Sequence, residues 1–288
     1  MKALYDLPAP AKLNLFLHVT GRRADGYHLL QSVFMLVDWC DTLHIELRSD
    51  GSLTREDLGD PLPADDLVLR AARALQAFAQ AGQGAHIAVD KRIPAQAGMG
   101  GGSSDAATCL LALNRLWNLR LPLARLEQIG LALGADVPFF LRGRNAWIEG
   151  VGEQITPVAL PPGRFAVVKP AQGLDTRLIF AAPELERATA PIPPATIFGF
   201  AADAGAMIYD FGHNDLQPVA QQLCPAVVAA IEWLDAKGLK ARMTGSGSAV
   251  FAQMPHDVSL EDAPGVPGGW QVRKCSNLAV HPLVGWAV

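Results

Sequence analysis

The chain has 288 residues and a net charge of −4, with 24 basic and 28 acidic side chains, which disfavours a protein that coats nucleic acid. Hydrophobic residues make up 50% and charged residues 18%, a composition that excludes a disordered chain and favours two domains at this length. No run of 18 apolar residues and no leader-peptide pattern occurs, so we expect no membrane span and a cytoplasmic protein. The cysteines Cys40, Cys109, Cys224 and Cys275 form no CxxC pair and are expected to be reduced core thiols.

The first predicted elements are strands. The stretch "KLNLFLHVT" (12–20) alternates, so Lys12 and Asn14 share the face opposite the leucines. A polar pair near the start of a chain can also be simply solvated. Further strands are predicted after the turn "GRRADGYH" (21–28), at "SVFMLVD" (32–38), "DTLHIEL" (41–47) and "AHIAVDKRI" (85–93).

Helices are predicted between and after these strands. The stretch 64–82 has an aspartate cap at Asp65 and a glycine stop at Gly82, and "PLARLEQIGLALG" (122–134) ends at Gly134. Later elements are a strand at 165–170, an irregular proline-rich excursion at 183–196, a helix at 226–238, a strand–turn–strand at 240–254 and a last strand at 270–276. Strands and helices interleave without regular alternation, which favours an α+β fold. The proline-rich segment "TPVALPPGRF" (156–165) is the expected domain boundary.

A glycine run, "PAQAGMGGGSSDAAT" (94–108), joins a predicted strand to a helix that begins near Ser104. Glycines let a backbone approach a ligand closely, and the free N–H groups of a helix start attract anions. With Ser103 as the expected N-cap, the run predicts an anion site, although a tight strand-to-helix turn would look the same. No Gly-Lys-Ser/Thr follows, and Ser103 occupies the third glycine position of GxGxxG, so neither common nucleotide loop fits. The carboxylate of Asp105 is expected to point away from a bound anion, or to reach it through water or a metal ion.

Three further features are ambiguous when each is read alone. Tyr27 and His28 could stack on and hydrogen-bond a base, or they could be ordinary surface residues. Asp136, in "LGADVPFFL", could be a catalytic base or the N-cap of a short helix with Pro138 in its first turn. The turn "TGSGS" (244–248) could close a phosphate site or simply join two strands.

Four stretches, taken together, resemble the motifs of the GHMP kinase superfamily, in order and along the whole chain. They are Lys-x-Asn on the first strand, "PAQAGMGGGSS", "GADVPFF" and "TGSGSAVFA". Two segments resemble those of one branch of this superfamily, namely "PAKLNLFLHVTGRRADGYHLLQSVF" and "DTRLIF" (175–180). The kinases of that branch act in isoprenoid precursor synthesis, on an alcohol that carries a cytidine diphosphate group. The sequence departs from that pattern at "PAQAG", where some members have more glycine. Asp66 stands where some relatives have asparagine, which leaves the adenine contacts open.

The resemblance implies a two-domain α+β fold, with a ribosomal-protein-S5-like domain at 1–158 and a ferredoxin-like domain at 159–288. It also implies transfer of the γ-phosphoryl group of ATP, with Mg²⁺, to a hydroxyl of the substrate. Asp136 would accept the hydroxyl proton, and Lys12 would stabilise the charge that develops. The implied ATP-binding residues are Lys91, Pro94, Ala95, Gln96, Ala97, Gly98, Met99, Gly100, Gly101, Gly102, Ser103, Ser104, Gly245 and Ser246.

The substrate-binding residues that the resemblance implies are Asn14, Tyr27, His28, Phe34, Thr176 and Phe180. Tyr27 and Phe180 would sandwich the cytosine, and His28 would hydrogen-bond its edge. A small-molecule substrate is expected, with no nucleic acid or membrane partner and a monomeric or weakly dimeric chain. The alternatives are a homoserine or mevalonate-type kinase, a non-catalytic nucleotide sensor and a glycine-loop dehydrogenase. Tyr27-His28 and "DTRLIF" disfavour the homoserine or mevalonate-type kinase. The intact Lys12 and Asp136 disfavour the sensor, and the missing third glycine disfavours the dehydrogenase.

Overall fold

A computed structural model describes residues 2–202, 207–254, 260 and 266–287, and their strands form two sheets. The elements of the first part are, in chain order, β1 (Ala3–Arg22), β2 (His28–Arg48), β3 (Leu53–Asp57), α1 (Leu67–Gln76), β4 (Gly84–Asp90), α2 (Gly101–Leu116), α3 (Leu123–Leu133), α4 (Val137–Arg142), β5 (Ala146–Glu149) and β6 (Gln154–Pro157). Those of the second part are β7 (Arg164–Lys169), α5 (Thr176–Ala181), α6 (Pro194–Ala202), a 3₁₀ turn (Met207–Tyr209), α7 (Gln217–Leu223), α8 (Pro225–Asp235), β8 (Arg242–Met243), β9 (Val250–Gln253) and β10 (Gln271–Ser276). No helix within these described residues is long and apolar enough to cross a lipid bilayer.

The first sheet is organised around the long strand β2. β1 pairs antiparallel along one edge of β2, while β4 and β5 pair with separate parts of the other edge. β3 extends the sheet parallel to β4, and β6 extends it antiparallel to β5. The two strands predicted at 32–38 and 41–47 are therefore one strand. The register shifts between the pairs Pro10–Cys40 and Ala11–Val37, so an irregularity of one continuous strand lies where two strands were predicted.

The two sheets pack face to face, with helices covering their outer faces. Phe165 and Val167 of β7 belong to a core shared with Leu13 of β1. Their neighbours Ala166 and Val168 face the opposite way and pack with the helices α7 and α8. A third core joins the other face of the first sheet to α1, α2, α3 and α4. The period-2 alternation of strand side chains thus lets β7 serve two cores at once.

The end of the chain returns to the first sheet. Beyond β10, the backbone N–H of Leu278 donates to the carbonyl of Leu36 at 2.9 Å, and that of His281 donates to Gly143 at 2.8 Å. Leu283 is buried in the core beneath α2. The chain changes sheets between β6 and β7, inside the proline-rich segment. The division at 158/159 stays a prediction.

Two helix starts differ from those predicted. Asp66, not Asp65, caps α1, because its carboxylate accepts the N–H groups of Val68 and Leu69. The helix α2 begins at Gly101 rather than near Ser104. Gly100 adopts φ +71° immediately before it and occupies the cap position, so Ser103 lies inside the first turn and cannot cap.

The remaining predicted helices and strands are confirmed in type and approximate position. The helix α3 is followed by Gly134, α8 and β10 lie at the predicted places, and β8 and β9 flank the predicted glycine turn. The proline-rich excursion is irregular until α6 begins at Pro194. The helix predicted at 64–82 ends earlier than expected, at Gln76. The four cysteines form no disulfide, and Cys40 alone among them is incompletely buried.

Candidate active site

A cleft of about 860 Å³ brings together most of the residues predicted for a site. Those lining it are Lys12, Asn14, Phe34, Lys91, residues 94–103, Asp136, Thr176, Phe180, Gly245 and Ser246. Tyr27, His28 and Ser104 do not line it. Residues from both ends of the chain therefore converge on one opening between the two parts of the molecule.

The two glycine segments contact each other at the cleft. The N–H groups of Ser248 and Ala249 donate to the carbonyls of Gln96 and Ala97 at 3.1 and 3.2 Å. Gly98 has φ +72°, and a Cβ there would collide with the carbonyl oxygen of Thr244. The two glycine turns thus meet in a packing contact. It explains the need for glycine at position 98 without reference to any ligand.

The start of α2 presents free backbone N–H groups to the cleft. Its cap position, Gly100, offers no side-chain acceptor, so the amides of the first turn lack a protein partner of that kind. A Cβ placed on Gly102 would meet only Leu67, at 3.6 Å, so the space beside it is open. The helix is 16 residues long, and its amino end carries a partial positive charge of about half a unit. This end of the cleft suits an anion.

The two serines of the glycine run have different surroundings. Ser103 lines the cleft, as predicted. Ser104 is completely buried, and its hydroxyl has no hydrogen-bond partner among the described residues. Because a helix turns by about 100° per residue, consecutive side chains of α2 point in different directions. The expectation that both hydroxyls face a ligand is therefore not met by Ser104.

Lys91 lies beneath the start of α2, bound to two buried carboxylates. Its Nζ donates to Oδ2 of Asp105 at 2.6 Å and also to Asp41. Burial of Asp105, with the like charge of Asp41 nearby, raises the pKa of its carboxyl although Lys91 opposes the change. The pKa of Lys91 is raised, since the two carboxylates outweigh the cost of burial. Asp105 thus pairs with a lysine within the protein, although it also lines the cleft.

Lys12 and Asp136 form a charged pair inside the cleft. The Lys12 ammonium lies 3.8 Å from Oδ2 of Asp136, donates to Oδ1 of Asn14 and sits 4.6 Å from the centre of the Phe34 ring. The backbone N–H of Lys12 donates to the carbonyl of Met99 at 2.9 Å, which ties β1 to the glycine run. Burial lowers the pKa of the ammonium, and the charge of Asp136 partly offsets that effect.

Asp136 occupies the N-cap position of α4, yet its carboxylate makes no capping hydrogen bond. The side chain is 31% exposed, in contrast to 5% for Lys12. The sequence left open whether Asp136 caps a helix or serves as a base. The structure gives it the position of a cap while leaving its oxygens available to the cleft.

At the other end of the cleft the predicted base-binding residues are partly assembled. The rings of His28 and Phe180 lie 4.9 Å apart at 31°, whereas Tyr27 is 65% exposed and outside the cleft lining. The hydroxyls of Thr176 and Ser246 are 2.5 Å apart, so α5 is linked to the second glycine turn. The sandwich of Tyr27 and Phe180 stays a prediction.

Sequence reasoning missed three residues that hold these groups in place. The hydroxyl of Thr244 accepts a hydrogen bond from the backbone N–H of Asn14 at 2.8 Å. Asp41 binds Lys91 and accepts the N–H groups of Arg92 and Ile93. Arg187 donates to Nε2 of His28 at 3.2 Å. Each lies at least 50 positions from its partner, so no local spacing could have indicated them.

The chain matches two family models, described as "GHMP kinases N terminal domain" over residues 66–144 and "GHMP kinases C terminal" over residues 195–263. A 4-diphosphocytidyl-2-C-methyl-D-erythritol kinase of Variovorax paradoxus (strain S110) is 71% identical across the whole of both chains. A second kinase of the same name, from Polaromonas sp., is 64% identical, over 99% of this chain and 95% of its own.

The solved structures that resemble this one include a 4-(cytidine 5'-diphospho)-2C-methyl-D-erythritol kinase. It is 36% identical, covers 85% of this chain and 88% of its own, and superposes with a TM-score of 0.72. The predicted two-domain α+β GHMP kinase fold is confirmed by both family models and by this structure. The chain belongs to the 4-diphosphocytidyl-2-C-methyl-D-erythritol kinase family, within the GHMP kinases.

Proposed function

We propose that the chain transfers the γ-phosphoryl group of ATP to the 2-hydroxyl of 4-diphosphocytidyl-2-C-methyl-D-erythritol, giving the 2-phosphate and ADP in the non-mevalonate route to isoprenoid precursors. The observation that carries the proposal is the Lys12–Asp136 pair beside the free amino end of α2. Phosphoryl transfer requires positioning and charge stabilisation more than covalent chemistry, and these two features supply both.

The amino end of α2 would hold the ATP phosphates. The open space beside Gly102 and the uncapped first turn fit a phosphate group that accepts backbone N–H bonds. Mg²⁺ prefers oxygen ligands and commonly binds through substrate phosphates, where it offsets their charge. We assign the hydroxyl of Ser103 as the protein oxygen that would face it. Lys91 would act from below by fixing the start of the helix.

Asp136 would accept the proton of the substrate hydroxyl. A carboxylate is a weak base, but it can take the proton late, as the new O–P bond forms. Lys12 would then stabilise negative charge between the attacking oxygen and the moving phosphoryl group. Because Asn14 accepts a hydrogen bond from the Lys12 ammonium and donates to Ser32 at 3.0 Å, it holds Lys12 in one orientation.

The test is ADP release measured with ATP and three alcohols in parallel: the cytidine diphosphate substrate, homoserine and mevalonate. We expect turnover with the first alone. Turnover with homoserine or mevalonate and none with the first would replace this proposal with another GHMP kinase activity. Absence of turnover with all three, while ATP still binds, would favour the non-catalytic nucleotide sensor.

Variants of the charged pair test the mechanism. Asp136→Asn should lower kcat by roughly 10²–10⁴-fold, the usual contribution of a general base, while ATP binding persists. Asp210 and Lys240 form a matched pair on the surface, 4.0 Å apart with side chains 71% and 75% exposed. Asp210→Asn should leave kcat unchanged. Near-normal turnover of Asp136→Asn would remove it as the base.

A further inference from the structure

Arg187, which follows α5, uses all three nitrogens of its guanidinium group next to Phe180, which lines the cleft, and His28, which does not. Its Nε donates to Nε2 of His28 at 3.2 Å. Its two Nη atoms donate to the carbonyls of Phe180, Ala182, Pro183 and Leu185, at 3.2, 2.5, 3.4 and 3.0 Å. One side chain therefore ties the end of α5, the loop after it and the start of β2 together.

The bond to His28 determines the protonation state of that ring. An arginine side chain only donates hydrogen bonds and stays protonated in proteins. Nε2 of His28 must therefore be the acceptor, so the ring is neutral and its proton lies on Nδ1. Among the described residues, the hydrogen bond of the His28 ring is the one to Arg187 at Nε2, and so Nδ1 remains available as a donor.

The surroundings of the ring favour the same state. The charged groups that act on His28 are Arg187, after α5, and Arg22, at the end of β1. Partial burial lowers the pKa of the imidazole, and both cations lower it further. On the side of α5 the ring meets the apolar ring of Phe180. Protonation would also place an N–H opposite the N–H of Arg187.

We propose that Arg187 is a positioning residue that fixes His28 as an Nδ1–H donor and thereby makes the site prefer cytosine to uracil. Cytosine has a hydrogen-bond acceptor at ring nitrogen 3, whereas uracil carries an N–H there. An imidazole that is held as an Nδ1–H donor can hydrogen-bond ring nitrogen 3 of cytosine, whereas it would face the N–H of uracil. A site built to hydrogen-bond one partner rejects an analogue that leaves its polar group unpaired. The identity of the base rests on the proposed function.

The two residues predicted to contact the base are also linked through Arg187. Phe180 offers its backbone carbonyl to Nη2, and His28 offers its ring nitrogen to Nε. Because the guanidinium is planar and rigid, its two bonds fix the spacing of these residues as well as the proton on the imidazole. Loss of the arginine should therefore weaken substrate binding more than it slows the chemical step.

The first experiment reads the tautomer directly in the ligand-free protein. Nitrogen-15 NMR of histidine-labelled protein should show the His28 proton on Nδ1, with a pKa below the usual 6.5. Arg187→Met should give a mixture of tautomers and a higher pKa. Arg125→Met is the control, since Arg125 bonds Gln128 and stacks on Phe78, remote from His28. An unchanged tautomer and pKa in Arg187→Met would overturn the proposal.

The second experiment measures base preference. With the cytidine and uridine diphosphate forms of the same alcohol, Arg187→Met should raise the cytidine KM by about tenfold. Its kcat should stay near the wild-type value, and the preference for cytidine over uridine should fall. Equal loss with both substrates would refute the specificity claim.

Arg187→Lys keeps the proposal testable if Arg187→Met fails to fold. It retains the positive charge but cannot reproduce the planar fork, so its KM should lie between those of the wild type and Arg187→Met. A KM equal to that of the wild type would show that the charge alone suffices and would refute a positioning role. The NMR measurement needs no substrate. Wild-type protein that turns over neither nucleotide form would refute the proposed function, while the NMR result would still decide the tautomer.

Discussion

The two ends of the cleft are built in different ways. At the phosphate end, defined as residues 91–105 with Lys12 and Asp41, Lys91 binds the buried Asp41 and Asp105, and Lys12 is buried beside Asp136, before any ligand arrives. At the base end, residues 27–28 and 175–187, Tyr27 is exposed and His28 and Phe180 are half-buried, and Arg187 holds this region mainly through backbone carbonyls. Changes at the phosphate end should therefore affect stability, whereas changes at the base end should affect substrate affinity.

The largest effect is expected from Lys91→Met. Removing the ammonium leaves Asp41 and Asp105 buried together without a cation, which should cost about 3–5 kcal/mol of unfolding free energy. The loss should be smaller at acid pH, where protonation relieves the repulsion. Chemical denaturation at several pH values measures both. The control, Lys240→Met, removes an exposed lysine and should leave stability nearly unchanged. Equal stabilities of the two variants would show that the buried cluster does not hold the fold.

Gly98→Ala is expected to have the next largest effect. It combines an unfavourable positive φ with a collision against the backbone of Thr244, and should cost about 3 kcal/mol. Gly238 provides a matched control, because it has φ +73° and no atom lies within 4 Å of the position that an added methyl group would take. Gly238→Ala should cost about 1 kcal/mol, from the backbone alone. If both variants lost the same stability, the contact between the two glycine turns would be looser than the structure indicates.

Asp105→Asn should change the pH dependence of stability. In the folded protein the pKa of Asp105 is raised to about 8, above its usual value of 3.8. Between these values the native state binds more protons than the unfolded state, so this group makes stability fall as the pH rises. Asparagine removes that dependence. Relative to the wild type, the variant should gain up to about 1.4 kcal/mol of unfolding free energy per pH unit as the pH rises from about 5 to 8. If the free energy of unfolding depended on pH in the same way in the wild type and in Asp105→Asn, the raised pKa would belong to a group other than Asp105.

The sequence predicted the phosphate end better than the base end, because its elements are local. The glycine run, Lys12 with Asn14, and the strand-to-helix order can all be read from short stretches. The start of α2 was misjudged, since glycine is permissive and the left-handed Gly100 gives no periodic signal. Asp41 and Arg187 were not predictable, because tertiary packing brings them to partners 50 and 159 positions away.

The smallest effect on stability is expected from Tyr27→Ala. The side chain is 65% exposed and outside the cleft lining, so the free energy of unfolding should change little. If Tyr27 stacks on the cytosine, as predicted, its loss should raise the KM of the cytidine substrate by about tenfold, because stacking on a base contributes about 1–3 kcal/mol. Tyr5, 57% exposed on β1, provides a control aromatic outside the cleft, and Tyr5→Ala should leave KM unchanged. An unaltered KM in Tyr27→Ala would leave Phe180 and His28 as the base contacts. It would also show that the open side of the base end stays open when substrate binds.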